Sequence, residues 1–116
     1  MSGITTHVLD TAKGKPAAGM PIRLSILTEQ NKTDWREIGD TITNADGRAP
    51  DLVKTDTQIT AGVYRLVFET EVYFSSLGLK GFYPSVTVVF EITDANQHHH
   101  VPLLLSPFGY STYRGS

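Results

Sequence analysis

The stretch HHHVPLLLS, residues 98–106, decides the fold. Successive side chains of a strand point to opposite faces. His99, Val101, Leu103 and Leu105 therefore share one face, and His98, His100, Pro102 and Leu104 share the other. Three branched aliphatics mark the first face as the one turned to a core, with His99 at its frayed start. His98 and His100 then point away from the core. Pro102 and Leu104 make that outward face too apolar for open water, so it is expected in a cleft or in an interface between copies.

The same period of two recurs up the chain. In PIRLSIL, from Pro21, the residues Ile22, Leu24 and Ile26 point one way and Arg23 and Ser25 the other. YRLVFET from Tyr64 and VTVVFEI from Val86 are rich in β-branched and aromatic residues. The runs are bounded by the turn-forming stretches AAGMP, TNADGRAP, TAGV and TDANQ. Short alternating runs between turns predict an all-β sandwich or barrel. Seven or eight strands are expected, starting near Thr5, Ile22, Trp35, Arg48 (a short one), Val63, Val86, His99 and Ser111. The segment TEVYFSSLGLKGFYP, from Thr70, breaks the alternation and reads as one short helix, capped by Thr70 and ended at Gly78. Trp35, Phe68, Phe90, Leu103 and Leu105 read as core.

The 116 residues predict a single domain spanning 1–116. A net charge of −2, with no cluster of Lys and Arg, offers no field for nucleic acid or an anionic membrane. The absence of cysteine removes disulfides, thiol chemistry and thiolate zinc sites. No apolar run is long enough to span a bilayer. The opening MSGITTHVLD lacks a basic region followed by an apolar run, so no secretory signal and a cytoplasmic location are expected.

Three histidines inside a strand, with sixteen residues after them, do not resemble a purification tag. A His-x-His pair on one strand face can bind zinc, with His7 as the remaining histidine for a third ligand, but two histidines alone are weak grounds for a metal. By periodicity alone, His98 and His100 are polar strand residues.

Four stretches read together change that. THVLDTAKGKPAAGMPI, TNADGR, FYPSVTVVFEI and HHHVPLLLSPFGYSTYRGS occur in this order and cover essentially the whole chain. The sequence resembles the transthyretin-related 5-hydroxyisourate hydrolases, most specifically in the closing YRGS, Tyr113 to Ser116. The resemblance implies a prealbumin-like sandwich of two four-stranded antiparallel sheets with one short helix. It also implies a homotetramer, a dimer of dimers, with active sites in a channel between the dimers. The implied reaction opens 5-hydroxyisourate, the product of urate oxidation, to 2-oxo-4-hydroxy-4-carboxy-5-ureidoimidazoline. No metal or organic cofactor is expected.

The family's motif residues fall on His7, Arg48, His100 and the tetrapeptide Tyr113–Ser116. The resemblance gives His7, Arg48 and His100 to catalysis, with His7, Arg48, Tyr113 and Ser116 binding substrate and His98 and Ser111 in support. Histidine titrates near neutrality and can activate water. A guanidinium can hold carbonyls and stabilise an oxyanion. Two departures stand out. His99 occupies a position where an aromatic such as Tyr is expected, and Ser85 one where an acidic residue is common. The rival readings are a transthyretin-like small-ligand carrier without catalysis, an accessory prealbumin-like module of a larger protein, and a zinc enzyme using His7, His98 and His100.

Overall fold

The computed structural model describes residues 3–28, 33–54 and 56–116. Eight strands and one helix follow in chain order: β1 (Gly3–Asp10), β2 (Lys15–Pro16), β3 (Pro21–Leu27), β4 (Trp35–Ile42), β5 (Gly62–Phe68), α1 (Thr70–Ser76), β6 (Val86–Ile92), β7 (His98–Ser106) and β8 (Gly109–Thr112). They form two four-stranded sheets, ordered β2-β1-β7-β8 and β4-β3-β5-β6. The expected sandwich with one short helix is therefore present. Its pairings are antiparallel except for β1 with β7, which run parallel with Thr5 opposite His100 and His7 opposite Pro102.

Alternation places the core. On β1, Ile4, Thr6, Val8 and Asp10 are buried, and the residues between them are half-buried on the outer face. On β7, His99, Val101, Leu103 and Leu105 are buried, as the period of two requires. Tyr64, Leu66 and Phe68 of β5 face them from the other sheet together with Ile22 and Leu24 of β3, all almost wholly excluded from water. Burial of such side chains contributes roughly 1.5–3 kcal/mol each. Between β3 and β4 the register shifts after Leu24, which pairs with Gly39 while Ser25 pairs with Glu37, so Ile38 is an extra residue that bulges β4.

Three local expectations need correction. The short strand at Arg48 is an isolated bridge to His7, and the eighth strand is instead Lys15–Pro16, paired with the end of β1. Thr70 does not cap α1. It lies in the first turn, buried, and its hydroxyl donates to the Tyr83 carbonyl at 2.9 Å, so a tertiary partner takes the oxygen a cap would use. Glu69 occupies the cap position without a side-chain bond to the helix, its carboxylate accepting from the Arg23 guanidinium instead. The helix does end at Gly78, where Leu79 N–H donates to Phe74 O and Gly78 N–H to Ser75 O. Trp35 is half-buried on the outer face of its sheet, with the Arg65 guanidinium 4.5 Å above its ring. Among the described residues, no helix is long and apolar enough to cross a membrane.

Candidate active site

The outer face of β1 and β7 carries the histidines. The parallel register sets Thr5 directly beside His100, and its hydroxyl lies 2.8 Å from His100 Nδ1 and 2.8 Å from His98 Nε2. His7 follows on the same face of β1, half-buried, one alternation further along.

Arg48 reaches this face through the TNADGR loop. Asn44 Oδ1 accepts from the backbone N–H of Asp46 at 2.9 Å and of Arg48 at 3.1 Å, and Asn44 N–H donates to Arg48 O at 2.9 Å. Gly47 sits at φ 74°, and a Cβ there would come within 2.5 Å of Val8 O. Only glycine lets the loop press this closely against β1. Val8 N–H donates to Gly47 O at 2.9 Å, and the loop then bridges His7 and Arg48.

The last residues close the other side. Gly115 N–H donates to His100 O at 2.8 Å, an isolated bridge that carries Ser116 to the same place. The result is a cavity of about 460 Å³ whose walls include Thr5, Asn44, Arg48, His98, His100 and Ser116. A small heterocycle fits such a volume. Burial, then the positive charge of Arg48, then His7 and His98, push the His100 imidazole below its ordinary value, with hydrogen bonding to Thr5 opposing them. An imidazole so placed is neutral at neutral pH, as a base must be.

The folded chain thus brings Arg48, His98, His100 and Ser116 to one cavity; His7 is not among its walls, but its backbone bridges Arg48 and its charge acts on His100. Tyr113 lies elsewhere. It is exposed and lines a second cavity of about 290 Å³ with Phe90, His99 and Arg114, to which His100 also contributes. Ser111 is exposed on β8, opposite Leu104, and lines neither cavity. Sequence reasoning missed Thr5 and Asn44. Thr5 shares the two-residue period of His7, a signal that was available. Asn44 could have been read from the Asn-x-Asp-Gly turn. Among the described residues, no three His, Asp or Glu side chains converge as a metal site would require.

A two-sheet sandwich with a polar, imidazole- and guanidinium-lined cavity on its outer face defines a transthyretin-like protein equipped for acid–base chemistry. The chain belongs to the HIUase/Transthyretin family, whose model matches residues 4–115. It is 54% identical to the 5-hydroxyisourate hydrolase of Mus musculus, over 99% of this chain and 96% of that protein. Among solved structures, it is similar to Klebsiella pneumoniae 5-hydroxyisourate hydrolase, with a TM-score of 0.83 and 34% identity over the whole of both chains. It is also similar to sea bream transthyretin in complex with thyroxine, with a TM-score of 0.88 and 34% identity over 97% of this chain and 93% of that one.

Proposed function

We propose that this chain is a 5-hydroxyisourate hydrolase, a cyclic-amide hydrolase acting in urate degradation and forming 2-oxo-4-hydroxy-4-carboxy-5-ureidoimidazoline. The observation that carries the reading is the meeting of Arg48 and His100, far apart in sequence, on one small cavity. Fold similarity alone would serve a thyroxine carrier equally well, since the likeness to sea bream transthyretin is as strong as that to the Klebsiella hydrolase. The identity to the mouse hydrolase favours the enzyme.

The chemistry follows from the groups. A histidine takes a proton from water as the water oxygen bonds to a ring carbonyl carbon. The carbonyl electron pair moves to oxygen, and the Arg48 guanidinium stabilises that oxyanion. On collapse the carbon–nitrogen bond breaks, the nitrogen takes the proton from the imidazolium, and a carboxyl and a ureido group result. His7 and His100 share water activation and proton transfer. Ser116 shapes the cavity and His98 supports it, while Ser111, which lines no cavity of the single chain, would give its support across a channel between copies. Tyr113, exposed in the single chain, would join the substrate-binding set across a channel between copies.

We further propose one transthyretin-like hydrolase domain over residues 1–116, assembled as a homotetramer, a dimer of dimers. The uncovered apolar side chains Phe82, Val89, Phe108 and Tyr113 support assembly. A cysteine-free core that owes nothing to disulfides suits a reducing cytoplasm, where we place the protein. Nucleic acid and membrane are not partners in this reading.

The test is the ultraviolet decay of 5-hydroxyisourate, generated in place by urate oxidase, with and without the protein. Strong acceleration is expected. Decay at the spontaneous rate, with folded protein present, would favour the carrier.

A further inference from the structure

The Thr5 hydroxyl stands between two imidazoles, 2.8 Å from His100 Nδ1 and 2.8 Å from His98 Nε2. A hydroxyl has one hydrogen and two lone pairs, so it can donate to at most one of the two rings and must accept from at least one. Three orderings satisfy both contacts. In the first, His98 Nε2–H donates to Thr5 and Thr5 donates to His100 Nδ1, which leaves the His100 proton on Nε2. In the second, His100 Nδ1–H donates to Thr5 and Thr5 donates to His98 Nε2; in the third, both rings donate to Thr5. The second and third both leave His100 Nε2 bare. Arg48 lines the same cavity as His100. A guanidinium carries donors only, so the nitrogen that shares its cavity is better as a lone pair than as another N–H. The site favours the two orderings that put the His100 proton on Nδ1.

We propose that Thr5 is a positioning residue that holds His100 with its proton on Nδ1, so that Nε2 is the base which takes the proton from the attacking water. This inference rests on the hydrolase reading and names which histidine serves as base. The step balances: the water O–H breaks, its proton goes to His100 Nε2 and its oxygen bonds to the carbonyl carbon. The imidazolium then keeps its Nδ1–H bond to Thr5 and returns the Nε2 proton to the leaving nitrogen. No proton has to pass through Thr5, and the ordering that suits the neutral ring also suits the charged one. His7, which lies on the same face of β1, is left to orient the water. The register makes this arrangement possible, because Thr5 and His100 are direct partners in the parallel β1–β7 pair.

The test compares wild type, Thr5→Val and Thr5→Ser. Valine keeps the shape and removes the oxygen, and serine restores it. Long-range proton–nitrogen correlation spectra of histidine-labelled protein read the tautomer without substrate. Wild type is expected to carry the neutral His100 proton on Nδ1, and Thr5→Val to move it wholly or partly to Nε2. The loss in kcat for Thr5→Val is expected to be about 10- to 100-fold, with KM changed less than about threefold, as misplacement of a reacting group does. Thr5→Ser should recover the tautomer and most of kcat. An Nε2–H tautomer in wild type, or a Thr5→Val protein that keeps both tautomer and kcat, would overturn the proposal. Wild type that fails to accelerate 5-hydroxyisourate decay would overturn the hydrolase reading and the role as base together. The tautomer spectra would still decide whether Thr5 orders the ring.

Discussion

Gly115 lies against the imidazole of His100: a Cβ on Gly115 would come within 2.6 Å of His100 Cδ2 and 3.2 Å of Cγ. Its N–H also donates to the His100 carbonyl at 2.8 Å. The last residues thus grip both the backbone and the ring of the histidine proposed as the base, and the missing side chain is what allows it. Gly115→Ala must therefore push the ring or the closing segment aside. Activity is expected to fall about 10- to 100-fold, the usual consequence of displacing a reacting group by an ångström, while thermal unfolding stays close to wild type. Full activity in Gly115→Ala would mean that the ring position is not held by this contact.

Arg48 acts on His100 by charge, besides the role proposed for it on the substrate. Its positive field is the second cause, after burial, of the lowered His100 value, with His7 and His98 adding to it. Removing a nearby cation makes protonation easier, so the value should rise in Arg48→Gln. The acid limb of kcat/KM is then expected to move to higher pH, and kcat/KM at neutral pH to fall about 100- to 1,000-fold with loss of oxyanion stabilisation. A pH profile recorded on both proteins checks this. An unmoved acid limb would separate Arg48 from His100.

His99 faces the opposite side of β7, buried, and its Nδ1 has no hydrogen-bond partner among the described residues. An unpaired buried nitrogen costs about 1–3 kcal/mol. His99→Phe, which removes it and keeps a planar ring, is expected to leave activity within about twofold and to raise the unfolding temperature. A large loss of activity would give His99 a role that its orientation denies it.

Tyr73 ties the helix to the end of β1. Its hydroxyl donates to Asp10 Oδ2 at 2.7 Å, and Asp10 Oδ1 accepts from the N–H groups of Ala12 at 3.1 Å and Lys13 at 3.2 Å. Burial, then Asp10, push the phenol pKa upward, so it remains a donor. Tyr73→Phe removes a bond to a charged, buried carboxylate and should cost about 1.5–3 kcal/mol. Calorimetry should show a fall in Tm of roughly 5–15 °C, with turnover at 25 °C nearly unchanged.

Much of this was legible in the chain because alternation is local. The two faces of residues 98–106 and the buried row of β5 follow from side-chain period alone. The helix end at Gly78 follows from one residue's freedom of φ. What was not legible depends on distant partners. The parallel pairing of β1 with β7 joins segments more than ninety residues apart, and it alone puts Thr5 beside His100. Lys15–Pro16 pairs as a strand through β1 and has no periodicity of its own. Thr70 looks like a cap in sequence because the Tyr83 carbonyl that claims its hydroxyl lies thirteen residues away. The proposed catalytic set itself came from resemblance, since each of His7, Arg48 and His100 taken singly reads as an ordinary surface residue.

The central claim is that His100 and His7, with Arg48, open a ring with water. It is tested most directly by the decay of freshly formed 5-hydroxyisourate in the presence of wild type, His7→Ala and His100→Ala, each verified as folded. A positioned acid–base group contributes roughly 100- to 10,000-fold. Rapid decay with wild type and a loss of at least about 100-fold in both variants is the predicted result. A loss smaller than about tenfold in either would contradict that histidine's assigned role.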